Sequence, residues 1–171
     1  MKQLIISLTL LCFSQASFSE SPTIEARKIV QEAYNQILII FQNPDNLTVV
    51  GDARVKFARL FPTIDFWLPD EFKYMNSGTG GFKLRIPNYI GIFGKLVQNK
   101  KISDFKYNII SAEEIEGPNF LSQERANFIQ VIAKKEYRYL NKNIIFSDTL
   151  VVDVDSKKIV MFENEARCYP N

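Results

Sequence analysis

Apolar residues recur at every second position in the C-terminal part of the chain, in three runs separated by turn-forming residues. In the stretch RANFIQVIAKKEYRYL, Ile129, Val131, Ala133, Tyr137 and Tyr139 share one face. In IIFSDTLVVDV, so do Ile144, Phe146, Leu150, Val152 and Val154. KIVMFEN supplies the last run. Successive side chains of a strand point to opposite faces, so each run predicts a strand buried on one side. Asn141-Lys142-Asn143 and Asp155-Ser156-Lys157 read as tight turns, which makes the three strands an antiparallel meander. DFKYNIISAEEIEG reads as a preceding strand, closed by Gly117-Pro118.

The first half has a different period. Ser21-Pro22 reads as a helix start, with Ser as N-cap and Pro at the first helical position. Ala26, Ile29, Val30, Ala33, Ile37, Ile40 and Phe41 then recur at helical spacing, a stripe widened by Tyr34 and Leu38, until Asn43-Pro44. A second helix is expected from Asp52 to Leu60, capped by Asp52 and stopped by Pro62. IDFWLPDEF reads as a short extended segment beside the core. A third helix is expected from Pro87, with Tyr89, Ile92, Phe93, Leu96 and Val97 on one face and with Gly91 and Gly94 offering room for a strand to approach.

The chain opens MKQLIISLTLLCFSQASFSE: a lysine, an apolar run and then small and polar residues, the order of a secretory signal peptide. The run is about half the ~20 residues a bilayer span needs, so an exported domain without a retained membrane anchor is expected. Cleavage is placed after Ser19, leaving one domain from Glu20 to Asn171. Cys12 would depart with the signal, and Cys168 would remain as a lone thiol, structural or paired between two chains of a homodimer.

With no histidine in its 171 residues, the chain has no Ser-His-Asp, Cys-His or His-based zinc chemistry. A formal charge of +2 and basic runs no longer than pairs speak against nucleic acid. Lys100-Lys101, Lys134-Lys135 and Lys157-Lys158 read as solvated strand ends or turns. In SGTGG (residues 77–81), Gly81 is followed by Phe82 and Lys83 by Leu84, which fits neither a Walker loop nor a dinucleotide fingerprint and leaves a glycine-rich hinge. Asp153-x-Asp155 lacks the glycine and terminal Glu of a calcium loop and reads as a turn. No motif implies a cofactor or a metal.

Helices followed by long antiparallel strands mean α+β: N-terminal helices packed on the concave face of a curved antiparallel sheet, a cystatin-like cone. This order resembles the nuclear transport factor 2-like superfamily, which includes ketosteroid isomerase and scytalone dehydratase. The resemblance rests on the helix at 24–41, the helix at 87–99 and the hairpin TLVVDVDSKKIVMFEN. It is one of architecture, and it implies a cone with an apolar pocket between sheet and helices. Isomerase-type members set a carboxylate base, a Tyr and a protonated acid around an oxyanion. Tyr34 and Asp65 or Asp70 beside Trp67 match that set loosely, outside any family motif. Dehydratase-type members use His, which is absent.

The candidate ligand-binding residues are therefore Tyr34, Asp65, Trp67 and Asp148. Asp148 falls on the same face as Phe146 and Leu150, where a carboxylate is either a pocket acid or is turned outward by a bulge. Aromatic residues at 13% suit an apolar pocket as well as a core. The leading expectation is an exported non-enzymatic domain that binds a protein partner or a small apolar ligand. Its rivals are a pocket enzyme of isomerase or lyase type working with carboxylates and Tyr, and a periplasmic scaffold piece of a secretion or envelope assembly.

Overall fold

A computed structural model of the chain describes residues 21–72, 83–116, 127–140 and 142–169, the last three without their side chains. The signal segment, the SGTGG stretch and the Cys168 side chain lie outside the described residues.

Helix α1 (Pro22–Gln42) begins at the predicted Pro and ends before Asn43-Pro44. Ser21 precedes it without a side-chain cap. Its backbone carbonyl accepts from Ile24 and Glu25, while its hydroxyl meets that of Thr23 at 2.9 Å. Of the predicted stripe, Ala26, Ile29, Val30, Ala33, Tyr34, Ile37 and Ile40 are buried, Leu38 and Phe41 are half-buried, and Gln36 joins the buried face. Helix α2 (Leu47–Arg59) begins five residues before the expected Asp52. Asn46 is its cap, and its side-chain oxygen accepts from the Val49 N–H at 3.2 Å, satisfying a donor the helix cannot satisfy internally. The β-branched residues and Gly51 of the first turns mask this start.

Strands β1 (Trp67–Pro69) and β2 (Lys83–Arg85) form a small antiparallel pair, with Trp67 opposite Arg85. Helix α3 (Ile86–Gln98) follows and buries Ile86, Tyr89, Ile90, Phe93 and Val97. Ile92, expected on this face, is exposed instead. The main sheet contains β3 (Ile102–Ile115), β4 (Phe128–Tyr139), β5 (Lys142–Asp153) and β6 (Lys158–Tyr169) in that spatial order, all antiparallel. Among the described residues this is the expected α+β arrangement: three long helices packed on an antiparallel meander, in the form of a cone. Register breaks between Ser103 and Lys106, between Ile109 and Ser111, and at Val151/Val152 bend the strands.

Aromatic rings fill the space between α3, α1 and the sheet. Phe93 meets Phe41, Phe105 and Tyr137 edge-on, at centroid distances of 5.3, 6.1 and 6.1 Å. Such edge contacts add to the area these rings remove from water. The Asp153–Ser156 turn is closed by its own carboxylate. Asp153 accepts from the Asp155 and Ser156 backbone N–H groups and from the Ser156 hydroxyl.

The α3 glycines do not admit a strand. A Cβ on Gly91 would meet nothing within 4 Å, whereas one on Gly94 would lie 2.6 Å from Nη2 of Arg54 on α2. Gly91→Ala should therefore raise stability by about 0.5–1 kcal/mol by removing a glycine from a helix interior. Gly94→Ala should gain less or lose, because the Arg54 guanidinium must move. Denaturant melts of the two variants check the contrast.

Candidate functional site

The site is built around a lysine. On β4, Ala133, Lys135 and Tyr137 point to the inner face by strand alternation, and all three are buried. Lys135 stands opposite Tyr107 on β3 and Phe146 on β5. Its side chain is fully buried, so the solvated reading of the Lys134-Lys135 pair is wrong for Lys135 and right for the exposed Lys134.

Two buried carboxylates face it. Asp148 on β5 pairs with Lys135 at 3.1 Å, and Glu71, just beyond β1, forms a second, short ion pair. Asp148 is thus on the inner face, and no bulge turns it out. Tyr34, at the middle of α1, donates its hydroxyl to Asp148 Oδ2 at 2.6 Å and stacks on Tyr107 at 4.7 Å. Tyr89 of α3 donates to Glu71 Oε2 at 3.0 Å, and Tyr137 donates to Glu71 Oε1 at 3.1 Å. Asn164 of β6 donates through Nδ2 to Glu71 Oε2 at 3.2 Å. The ammonium also sits over the rings of Phe146 and Phe162, at 5.1 and 5.0 Å. All three helices but α2, the segment after β1, and strands β4 to β6 therefore contribute to one dry polar cluster.

Burial sets its electrostatics. Desolvation pushes the Tyr34, Tyr89 and Tyr137 hydroxyls well above their ordinary 10.0, so all three are fixed as donors. Desolvation alone would lower Lys135, but Asp148 and then Glu71 outweigh it and hold the amine above 10.5. Desolvation raises Asp148 to about 6; Lys135 opposes this, Glu71 adds to it, and the Tyr34 hydrogen bond opposes it again. An amine held charged in this way is no nucleophile.

Of the four expected residues, the fold brings together Tyr34 and Asp148. Asp65 and Trp67 lie elsewhere, on the surface. Asp65 pairs with Arg85 at 3.1 Å, and the same guanidinium stands 5.1 Å from the ring centroid of a half-exposed Trp67. Trp67 is exposed here, whereas Leu68, Pro69, Asp70 and Glu71 are buried in succession. Lys135 could have been found from its place between Ala133 and Tyr137 in a period-two run. Glu71 lies in no periodic run, and only the tertiary fold places it.

Removing Lys135 alone should leave two carboxylates buried without a counter-charge. Lys135→Met is expected to cost about 3–5 kcal/mol in urea unfolding, whereas adding Glu71→Gln and Asp148→Asn should restore most of that loss. A triple variant no more stable than the single one would show that charge pairing is not what Lys135 contributes.

Comparison with protein-family models, with curated proteins and with solved structures finds no match to this chain.

Proposed function

We propose that this chain is an exported, non-enzymatic domain that binds a protein partner through its outer surface. The observation that carries this reading is the burial of the polar cluster. Tyr34, Glu71, Lys135 and Asp148, the groups a pocket would offer to a ligand, are buried, and Asp148 and Glu71 are paired with Lys135 while Tyr34 donates to Asp148. These four line neither the groove of about 480 Å³ along β3 to β5 nor that of about 300 Å³ beside β1 and β6, although their neighbours Tyr137 and Phe162 line the first and the second respectively. The order of helices and meander supports a cone resembling the nuclear transport factor 2-like superfamily, and the hydrophobic leader supports export.

The flank of β1 and β2 is the surface best suited to a partner. Trp67 and Ile64 are exposed there, and Arg85 stacks on Trp67. Phe66, Val160 and Met161 line the adjoining 300 Å³ groove. Trp and Arg are the residue types most enriched at the energetic centres of protein interfaces. A second reading, the carboxylate and Tyr pocket enzyme, is favoured by the meeting of two carboxylates with three tyrosines in one cluster.

A thermal-shift screen against sterols, fatty acids and small aromatic ketones distinguishes the two. A ligand present at a hundredfold excess over its Kd adds about 2.7 kcal/mol, a rise in Tm on the order of 5–10 °C for a domain of this size. No such rise is expected. A saturable rise that Tyr34→Phe abolishes would overturn the surface-binding reading in favour of the pocket. The mass of the secreted protein tests export; retention of Met1 would count against a cleaved leader.

A further inference from the structure

The hydrogen bonds of the two buried carboxylates are unequal. Glu71 receives Tyr137 on one oxygen and Tyr89, Asn164 and Lys135 on the other. Asp148 receives both of its donors, Tyr34 and Lys135, on Oδ2, and its buried Oδ1 has no hydrogen-bond partner. Asn164 stands directly opposite Asp148 in the β5–β6 register. Its Nδ2 is committed to Glu71, which fixes the amide orientation, and its Oδ1 is likewise buried without a donor. Two neighbouring residues thus each hold a bare acceptor oxygen, in a cluster of two acids and one base. An unmatched negative charge is expensive in a dry interior, and so is a buried acceptor without a donor. One proton would relieve both.

We propose that Asp148 and Asn164 form an internal proton-binding site, in which Asp148 Oδ1 takes up a proton in mildly acidic surroundings and donates it to Asn164 Oδ1. No bond other than this O–H forms, and the proton comes from solvent. The groups facing Asp148 are Tyr34 from α1, Glu71 from the segment after β1, Tyr89 from α3, Lys135 and Tyr137 from β4 and Asn164 from β6, with Tyr107 of β3 behind Tyr34. The tyrosines stay protonated and the lysine charged through the relevant range, so neither supplies the change of state.

The sign of the effect on stability follows. Asp148 titrates near 6 in the folded chain against an ordinary 3.8, so the folded state holds the proton more tightly than the unfolded one. Stabilisation from this group is complete below the unfolded value and is lost as pH rises through about 6. An exported domain of this kind is proton-loaded in acidic surroundings and loses that support at neutral pH, with no histidine involved.

The test is infrared spectroscopy of the full folded protein with its aspartates ¹³C-labelled at the carboxyl, titrated from about pH 4 to about pH 8. A protonated-carboxyl band that fades with a midpoint near 6 and is missing in Asp148→Asn is expected. Asn164→Ala should move the midpoint toward the ordinary carboxylate value, because the neutral acid loses its acceptor. Urea unfolding of the wild-type protein over the same range should show the proton-linked decline, and Asp148→Asn should flatten it; this arm stands even if Asn164→Ala fails to fold. A midpoint near 4, or one that Asn164→Ala leaves in place, would overturn the proposal.

Discussion

An ammonium with no contact with water is the constraint around which this cone is organised. Lys135 projects from the middle of β4 into the space beneath α1, where it can remain charged only if counter-charges meet it there. The effective penalty for burying one ion is several kcal/mol, on the order of the whole stability margin of a small domain. The two carboxylates answer it from opposite sides, one from β5 and one from the chain just after β1. The three tyrosine hydroxyls then answer the carboxylates. Small residues stand where bulk would displace this set: Ala133 lies opposite Asp148, and Ala166 lies opposite Phe146. The polar cluster and its surroundings are one solution to a single electrostatic problem.

The aromatic shell is the other half of that solution. Phe93, Phe105 and Tyr137 stand together on the side of α3 and β3, and Phe146 and Phe162 present their faces to the ammonium. Keeping water out strengthens every charge–charge and hydrogen-bond interaction inside, and it raises the cost of any group left unmatched. The tyrosines join the two layers, because each places its ring in the apolar shell and its hydroxyl in the cluster. The same residue types, opened to solvent, would constitute a reactive cavity.

Much of the framework was legible in the sequence, because it rests on periodicity. The α1 stripe, the meander and the inward position of Asp148 all follow from spacing. The same spacing points Lys135 inward, since it sits between Ala133 and Tyr137, but a charge pair suggests solvent and hides the signal. The stripe of α3 is rotated from the expected one, because Ile90 and not Ile92 faces the core. The start of α2 was hidden by β-branched residues, whose weak helix propensity is offset by the Asn46 cap and by packing. Glu71 and the outward turn of Asp65 and Trp67 were not legible. They depend on how a short segment containing Pro69 crosses the end of the sheet, and three residues of strand carry no period to read.

A buried ion cluster is a poor source of net stability, so its retention calls for another reason. Apolar residues of equal volume would hold the core as well or better. They would do so in many registers, since one greasy side chain substitutes readily for another. Lys135, Glu71 and Asp148 tolerate a single arrangement: any slip of β4 against β5, or of the segment after β1 against the sheet, strands a charge in a medium that cannot solvate it. On this view the cluster contributes specificity of alignment. Glu71 lies two residues beyond β1, and β1 carries Trp67 on its outer side. Tying Glu71 to the centre of the sheet therefore also fixes the position of the exposed tryptophan four residues before it.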